Sequence, residues 1–257
     1  MYGPIADFRK KLQDGQLLMG SGITLSDPQA SEALADSVDF LWIELEHVGM
    51  SEEAVRGHLL AARSRNTPGI VRVCGNNASF IKPILDSGAD GIIVPQVRSA
   101  EEVRQVVAEC RYPPVGTRGV GPMIPMNFFR DNLTDHIEQA NREVFVAVMI
   151  ENVEALKEID EIVALPGLDS VVIGPTDMSV SMGLPGEIGH PKVVAAYERI
   201  ISAARTAGKF VGCGLGPDEE FAVLQARRGV QWLQLGGDCT YMIQCMDQLS
   251  SSIREKV

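Results

Sequence analysis

Two hydrophobic periods alternate along this chain. Runs of apolar, mostly β-branched residues at 40–45, 70–73, 91–94, 145–150, 170–173 and 232–235, with briefer ones at 17–19 and 210–212, have the pattern of strands buried on both faces. Between the runs, apolar positions return every three or four residues. Val55, Leu59 and Ala62 form one such stripe, Val103, Val106, Val107 and Cys110 another, and Val193, Tyr197, Ile200 and Ala204 a third. Shorter stripes at Ile81, Ile84 and Leu85 and at Phe221 and Leu224, and longer ones at Val153, Leu156, Ile159 and Val163 and at Met242, Met246, Leu249 and Ile253, complete the alternation. Ile5, Phe8 and Leu12 predict one more amphipathic helix before the first strand, where it can plug the floor of a barrel. Eight strand–helix units in 257 residues predict an α/β (β/α)8 TIM barrel, a single domain over 1–257, with a doubly wound open sheet as the second architecture.

One stretch breaks the rhythm. From Tyr112 to Arg130 the chain carries Pro113-Pro114, Gly116, Arg118-Gly119, Gly121-Pro122 and Pro125, a long irregular insertion before the fifth strand. Such insertions in compact domains are more often lids or binding loops than simple connections.

The strand ends carry the candidate chemistry, because a parallel barrel builds its site from the C-terminal ends of its strands. Glu151 ends the run 145–150, and Asp177 follows 170–173 through Gly174-Pro-Thr. Carboxylates beside an apolar core need compensation, and a hard divalent ion is held by few carboxylates plus water and substrate oxygens. The plainer reading has both acids capping the helices that follow them. Glu44, Glu46 and His47 close the second strand, and Arg72 lies near the end of the third. An acid/base group, a fixed cation and two metal-type carboxylates thus share one rim. His58 falls inside a helix, His136 in an exposed-looking one, and His190-Pro191 reads as a helix start. Only His47 stands at a strand end, where an imidazole titrating near neutrality can move a proton.

Composition narrows the partners. With 45% hydrophobic and 22% charged residues the chain has a globular balance, and a formal net charge of −11 argues against nucleic acid and anionic membrane. No run approaches the ~18 apolar residues of a membrane span. Five scattered cysteines without metal-type spacing fit reduced thiols in a cytoplasm.

At these residues the sequence resembles the HpcH/HpaI family of metal-dependent, pyruvate-type aldolases, which act on 4-hydroxy-2-oxo acids. The resemblance covers nearly the whole chain. It is carried by Glu-Leu-Glu-His47, Val-Arg72-Val, Leu-Asp86-Ser-Gly-Ala-Asp-Gly, Arg-Tyr-Pro-Pro-Val-Gly-Thr-Arg118-Gly-Val-Gly121, Met-Ile-Glu151 and Ile-Gly174-Pro-Thr-Asp177-Met-Ser. It implies that Glu151 and Asp177 hold Mg²⁺, Mn²⁺ or Co²⁺, which chelates the carboxylate and keto oxygens of a 2-oxo acid. It further implies that Arg72 polarises the keto oxygen, that Gly174 and the N–H groups of Thr176 and Asp177 receive the carboxylate, and that His47 is the acid/base residue. Glu44, Asp86 and Arg118 are implied support. Small-molecule partners, a 2-oxo acid and an aldehyde, are implied, together with a homo-oligomer, hexamer or trimer, in which Asp86 reaches a neighbouring site. The chain departs from better-known members in having Glu44 where they have Asp three residues before the histidine, and Met149 where they have Gln two before the metal glutamate. The first change bears on how the histidine is oriented, the second on how the keto oxygen is held.

Other readings compete. A Schiff-base aldolase needs a lysine at the catalytic end of a strand, and Lys209 alone is near a strand, at its N-terminal end. Gly212, Gly214 and Gly216, with Gly236-Gly237, fall where barrels bind phosphate, as a phosphosugar or phosphoenolpyruvate enzyme requires. An acyl-CoA lyase of the citrate lyase β type is a further alternative, and a non-catalytic binding barrel the last.

Overall fold

The computed structural model describes residues 2–257. Eight strands, β1 (Leu18–Ile23), β2 (Phe40–Glu44), β3 (Gly69–Arg72), β4 (Gly91–Val94), β5 (Phe145–Ile150), β6 (Ser170–Ile173), β7 (Phe210–Leu215) and β8 (Trp232–Gly237), pair in parallel in sequence order. The barrel closes where β8 pairs with β1. β2, β4, β5 and β6 are buried along their whole length, which is why their sequences run apolar without alternation. All strand C-termini therefore reach one rim, and the register sets Glu44 beside Arg72 on it.

Twelve helices surround the sheet: α1 (Gly3–Gln13), α2 (Gln29–Leu34), α3 (Glu52–Ser64), α4 (Ala78–Asp86), α5 (Ala100–Glu109), α6 (Leu133–Glu143), α7 (Val153–Lys157), α8 (Ile159–Val163), α9 (Pro175–Ser181), α10 (Pro191–Thr206), α11 (Glu219–Arg228) and α12 (Asp238–Arg254). Start signals are met by side chains: Ser51, Asn77, Ser99 and Asp218 each accept an N–H of the helix they open. The stripe expected to make one helix from Val153 to Val163 makes two, because the chain turns at Glu158, whose carboxylate takes the N–H of Ala100 at 2.8 Å.

α1 closes the floor as its apolar spacing predicted. Phe8 is buried and meets Phe40, Phe145 and Trp232, the first residues of β2, β5 and β8, edge-on with ring centres 5.5, 5.5 and 6.1 Å away. Arg9, one residue on, pairs with Asp169 at 3.1 Å and Glu143 at 3.4 Å, fixing the helix to the turns that feed β6 and β5.

Two elements sit differently from what their sequence suggests. The insertion 112–130 leaves the end of α5 and returns through α6 to the start of β5, so it is rooted at the rim where strands begin, opposite the strand C-termini. Arg118 roots it, with its side chain fully buried, 2.6 Å from the Asp86 carboxylate at the end of α4 and 4.5 Å from the Tyr112 ring centre. The last helix, α12, carries the predicted apolar stripe, but Met242, Ile243, Met246, Leu249 and Ile253 are all more than half exposed. Beside it, an apolar groove of about 470 Å³ lies open between β1, β8 and α11, lined by Leu17, Met19, Ala222, Val223, Leu233 and Leu235.

Removing the floor plug tests this account of closure. Phe8→Ala deletes a ring shared by three strands and is expected to destabilise the protein by about 3–5 kcal/mol, read by chemical denaturation. A loss below about 1 kcal/mol would mean the floor repacks without it.

Candidate functional site

The turn after β2 is built on one carboxylate. Glu44 is buried, and its Oε1 accepts the N–H groups of Glu46 at 2.7 Å and His47 at 3.1 Å. Its Oε2 accepts Arg72 Nε at 2.6 Å and Trp42 Nε1 at 3.1 Å. The charge of Arg72, unexpected in an apolar strand, is thus compensated by its neighbour in register, and again by Glu46 at 3.1 Å from Nη1. The guanidinium stands 5.5 Å from the Trp42 ring centre, and Nη1 lies 3.6 Å from the sulfur of Met149. His47 projects from this turn with 63% of its side chain exposed, and its Nε2 lies 3.5 Å from Oε2 of Glu46. Burial pushes the Glu46 carboxyl up against the opposing pull of Arg72 and His47, while Glu44 and Asp177 add to the rise.

Glu151 occupies the head of β5. It is 1% exposed, and its Oε1 accepts the N–H of Gln96 at 2.6 Å. It does not cap α7; Asn152 does, accepting the N–H of Ala155 at 2.8 Å. Gly174 permits its position, because a Cβ there would stand 2.7 Å from Glu151 Oε2. Burial first, and then the charges of Asp177 and Glu46, push the carboxyl up to about 7 against the Gln96 hydrogen bond and Arg72. Asp177 lies in the first turn of α9, whose first intrahelical bond runs from Met178 N–H to Gly174 O at 3.0 Å. The N–H groups of Thr176 and Asp177 precede that bond and have no partner within the helix.

These groups suit a hard cation. Glu151 and Asp177 are oxygen donors, and the Asp177 charge adds to the rise of the buried Glu151 carboxyl, a repulsion that a divalent charge would relieve. Among the described residues no three His, Cys, Asp or Glu side chains enclose a metal position.

Across the mouth, a cavity of about 230 Å³ opens between Trp42, His47, Arg72, Thr24, Gln234 and Gly237. The residue after Gly236-Gly237 is committed to the loop beyond β1. The Asp238 carboxylate accepts N–H groups of Thr24, Leu25 and Cys239 at 2.9, 3.0 and 2.8 Å; burial opposes its charge, but these bonds and the Thr24 hydroxyl hold it below the usual carboxylate range.

Asp86 and Arg118 are not part of this rim; they pair with each other at the far end. His58 is buried with Nδ1 2.8 Å from Ser31 Oγ, and His190 caps α10. His136, expected on an exposed helix face, is buried with its ring centre 5.9 Å from that of Tyr112. Lys209 donates to the carbonyls of Leu165 and Leu168 at 3.0 and 2.9 Å, away from the strand C-termini. Gln96 was not legible as a site residue, since it contributes a main-chain N–H from a left-handed conformation, φ 57°. Trp42 read only as a strand residue.

Known proteins resemble this chain over nearly its whole length. The chain is 32% identical over 98% of its length to a hydroxypyruvate/pyruvate aldolase of Pseudomonas aeruginosa, covering 94% of that protein. It is 34% identical over 95% of its length to a 4-hydroxy-2-oxo-heptane-1,7-dioate aldolase of Shigella sonnei (strain Ss046), covering 93% of it. The crystal structure of an HpcH/HpaI aldolase from Desulfitobacterium hafniense DCB-2 superposes with a TM-score of 0.90 at 30% identity, covering 96% of each chain. That of a citrate synthase, SbnG, gives 0.86 at 32% identity, covering 96% of this chain and 97% of that one. The family model for HpcH/HpaI aldolase/citrate lyase matches residues 25–245, and the chain belongs to that family.

Proposed function

We propose that this chain is a single-domain, divalent-metal-dependent aldolase that reversibly cleaves a 4-hydroxy-2-oxo acid into pyruvate or hydroxypyruvate and an aldehyde. The observation that carries the reading is the buried Glu151 carboxylate, driven up to about 7 among other acids at a rim that also presents Arg72 and His47. Glu151 and Asp177 would hold Mg²⁺, Mn²⁺ or Co²⁺, which supplies, when bound, a fixed positive field for the substrate's carboxylate and keto oxygens. The N–H groups of Thr176 and Asp177, opened by Gly174, receive the carboxylate. Arg72, anchored by Glu44, faces the keto oxygen, where negative charge grows as the C3–C4 bond breaks. His47 takes the C4-hydroxyl proton, the C4–O bond becomes the aldehyde carbonyl, and the electron pair of the broken bond enters the enolate. The names of similar aldolases support this chemistry.

The resemblance to a citrate synthase favours a second reading, carbon–carbon chemistry on an acyl-CoA thioester. Incubating the protein with oxaloacetate and acetyl-CoA, beside 4-hydroxy-2-oxo acids, separates the two.

The homo-oligomer belongs to the same proposal. The exposed stripe of α12 and the open groove between β1, β8 and α11 are chemically matched, and the helix after β8 would ordinarily cover β1 and β8 of its own barrel. A second copy seated there buries both surfaces at once. No helix among the described residues is long and apolar enough to cross a membrane, and the free cysteines fit a reducing cytoplasm.

Chelation is expected to abolish cleavage, with Mg²⁺, Mn²⁺ or Co²⁺ restoring it, and Glu151→Ala to weaken Mn²⁺ binding by more than about 10²-fold in calorimetry. Because the folded pKa of Glu151 lies above its ordinary 4.5, its contribution to stability is fully present below 4.5 and lost as pH rises through about 7. The rise in melting temperature given by Mn²⁺ should accordingly be larger at pH 8 than at pH 6. A second expectation separates acid/base work from charge stabilisation. His47→Ala should lower turnover about 10²- to 10⁴-fold with Mn²⁺ and pyruvate affinity intact, whereas Arg72→Lys should also weaken pyruvate binding. Loss of Mn²⁺ on His47→Ala would make His47 a ligand instead. Finally, Ile243→Glu with Met246→Glu should dissociate the oligomer in analytical ultracentrifugation; an unchanged mass would show that α12 does not hold it.

A further inference from the structure

The turn after β2 carries two acids with different surroundings. Glu44, at the position from which the resemblance leads one to expect a partner for the imidazole, has both oxygens committed. Oε1 holds two backbone N–H groups, and Oε2 holds Arg72 and Trp42. It reaches the main chain of His47 and not its ring.

Glu46 is placed otherwise. Its side chain is 12% exposed, and Oε2 lies between two cationic groups, 3.1 Å from Arg72 Nη1 and 3.5 Å from His47 Nε2. The Arg72 contact is a charge contact without hydrogen-bond alignment, so Oε2 is a buried acceptor with no donor. Such an atom is costly to leave unmet, and the His47 ring, with Nε2 at 3.5 Å, can meet it by a movement of about half an ångström while Arg72 stays on Glu44. His47 has the opposite problem. At 63% exposure nothing packed around its ring fixes an orientation, although the ring lines the mouth cavity where substrate would sit. Arg72 keeps its anchor on Glu44 at 2.6 Å whether or not Glu46 is charged.

We propose that Glu46 is the positioning residue for the acid/base step, an inference that rests on the aldolase reading above. Its carboxylate accepts the Nε2–H of His47, which leaves Nδ1 as the unprotonated nitrogen that receives the C4-hydroxyl proton. The same carboxylate then faces the imidazolium and stabilises it until the proton is returned. Orientation and tautomer come from the residue directly before the histidine, and the longer Glu44 is freed to fix Arg72.

A mutant cycle tests this. Glu46→Gln keeps the shape and removes the charge; kcat for cleavage is expected to fall about 10- to 100-fold with KM for the 2-oxo acid within about twofold, and the change should cause no further loss in a His47→Ala background. Decarboxylation of oxaloacetate breaks the corresponding C3–C4 bond with no hydroxyl proton to remove, so it should fall much less than cleavage. An equal loss in both backgrounds would mean that Glu46 acts through Arg72 or the fold, and an unchanged kcat would mean that it does nothing; either overturns the proposal. The ¹⁵N spectrum of His47 in the wild-type protein is a second measurement: protonated Nε2 is expected, and protonated Nδ1 would refute the assignment even if the Gln variant fails to fold. A wild-type protein without cleavage activity would instead overturn the aldolase reading itself, on which the proposal depends.

Discussion

The rim of this barrel depends on one buried ion pair, Glu44 with Arg72 at 2.6 Å. β2 and β3 are paired in register there, so neither charge can leave without exposing the other to an apolar neighbourhood. Four donors converge on the Glu44 carboxylate: a guanidinium, an indole and two main-chain N–H groups. Through the first the pair sets the direction of the arginine, and through the last two it shapes the turn that carries Glu46 and His47. A strand, a turn and two proposed functional side chains are thereby fixed by one carboxylate.

Negative charge is the second constraint. Glu44, Glu46, Glu151 and Asp177 share a rim with Arg72 and one exposed imidazole; burial pushes the Glu46 and Glu151 carboxyls up, and the neighbouring acids add to the rise. A site with more carboxylate than cation is unstable to ionisation and favourable to a divalent ion. Gly174 and the main-chain N–H of Gln96 serve this arrangement, one by absence of a side chain and the other by a hydrogen bond to the Glu151 carboxylate.

Much of this was legible in the sequence, and what was not has recognisable causes. Strands buried on both faces print as unbroken apolar runs, so the barrel order, the strand-end residues Glu151 and Arg72, and the floor helix at Ile5, Phe8 and Leu12 could all be read. Gln96 could not, because a main-chain donor has no residue signature. Nor could the division of labour between Glu44 and Glu46, since two acids one residue apart differ only by the direction a turn gives them. His136 misled because its helix is polar on most positions, while burial there is set by Tyr112 and Tyr2 across from it. The insertion 112–130 read as a lid from composition, which carries no information about the rim at which it is rooted. The stripe of α12 was visible, but a stripe states only that something must cover it, and the sequence does not say whose barrel supplies the cover.

That last point joins the two ends of the molecule's chemistry. Asp238 ends the β8 turn, holds Thr24 and Leu25 beyond β1, and begins α12. It is the one buried residue of that helix, and past Tyr241, whose hydroxyl donates to the Leu235 carbonyl, the apolar residues of α12 are exposed. Whatever seats the apolar stripe of α12 also fixes the direction in which the helix leaves Asp238. Thr24, Gly237 and Thr240, which line the mouth cavity, stand on or beside that anchor. In the proposed oligomer the geometry of the Thr24 and Thr240 side of the cavity is consequently set in part by the neighbouring copy, whereas the Arg72 side is set within the subunit by Glu44.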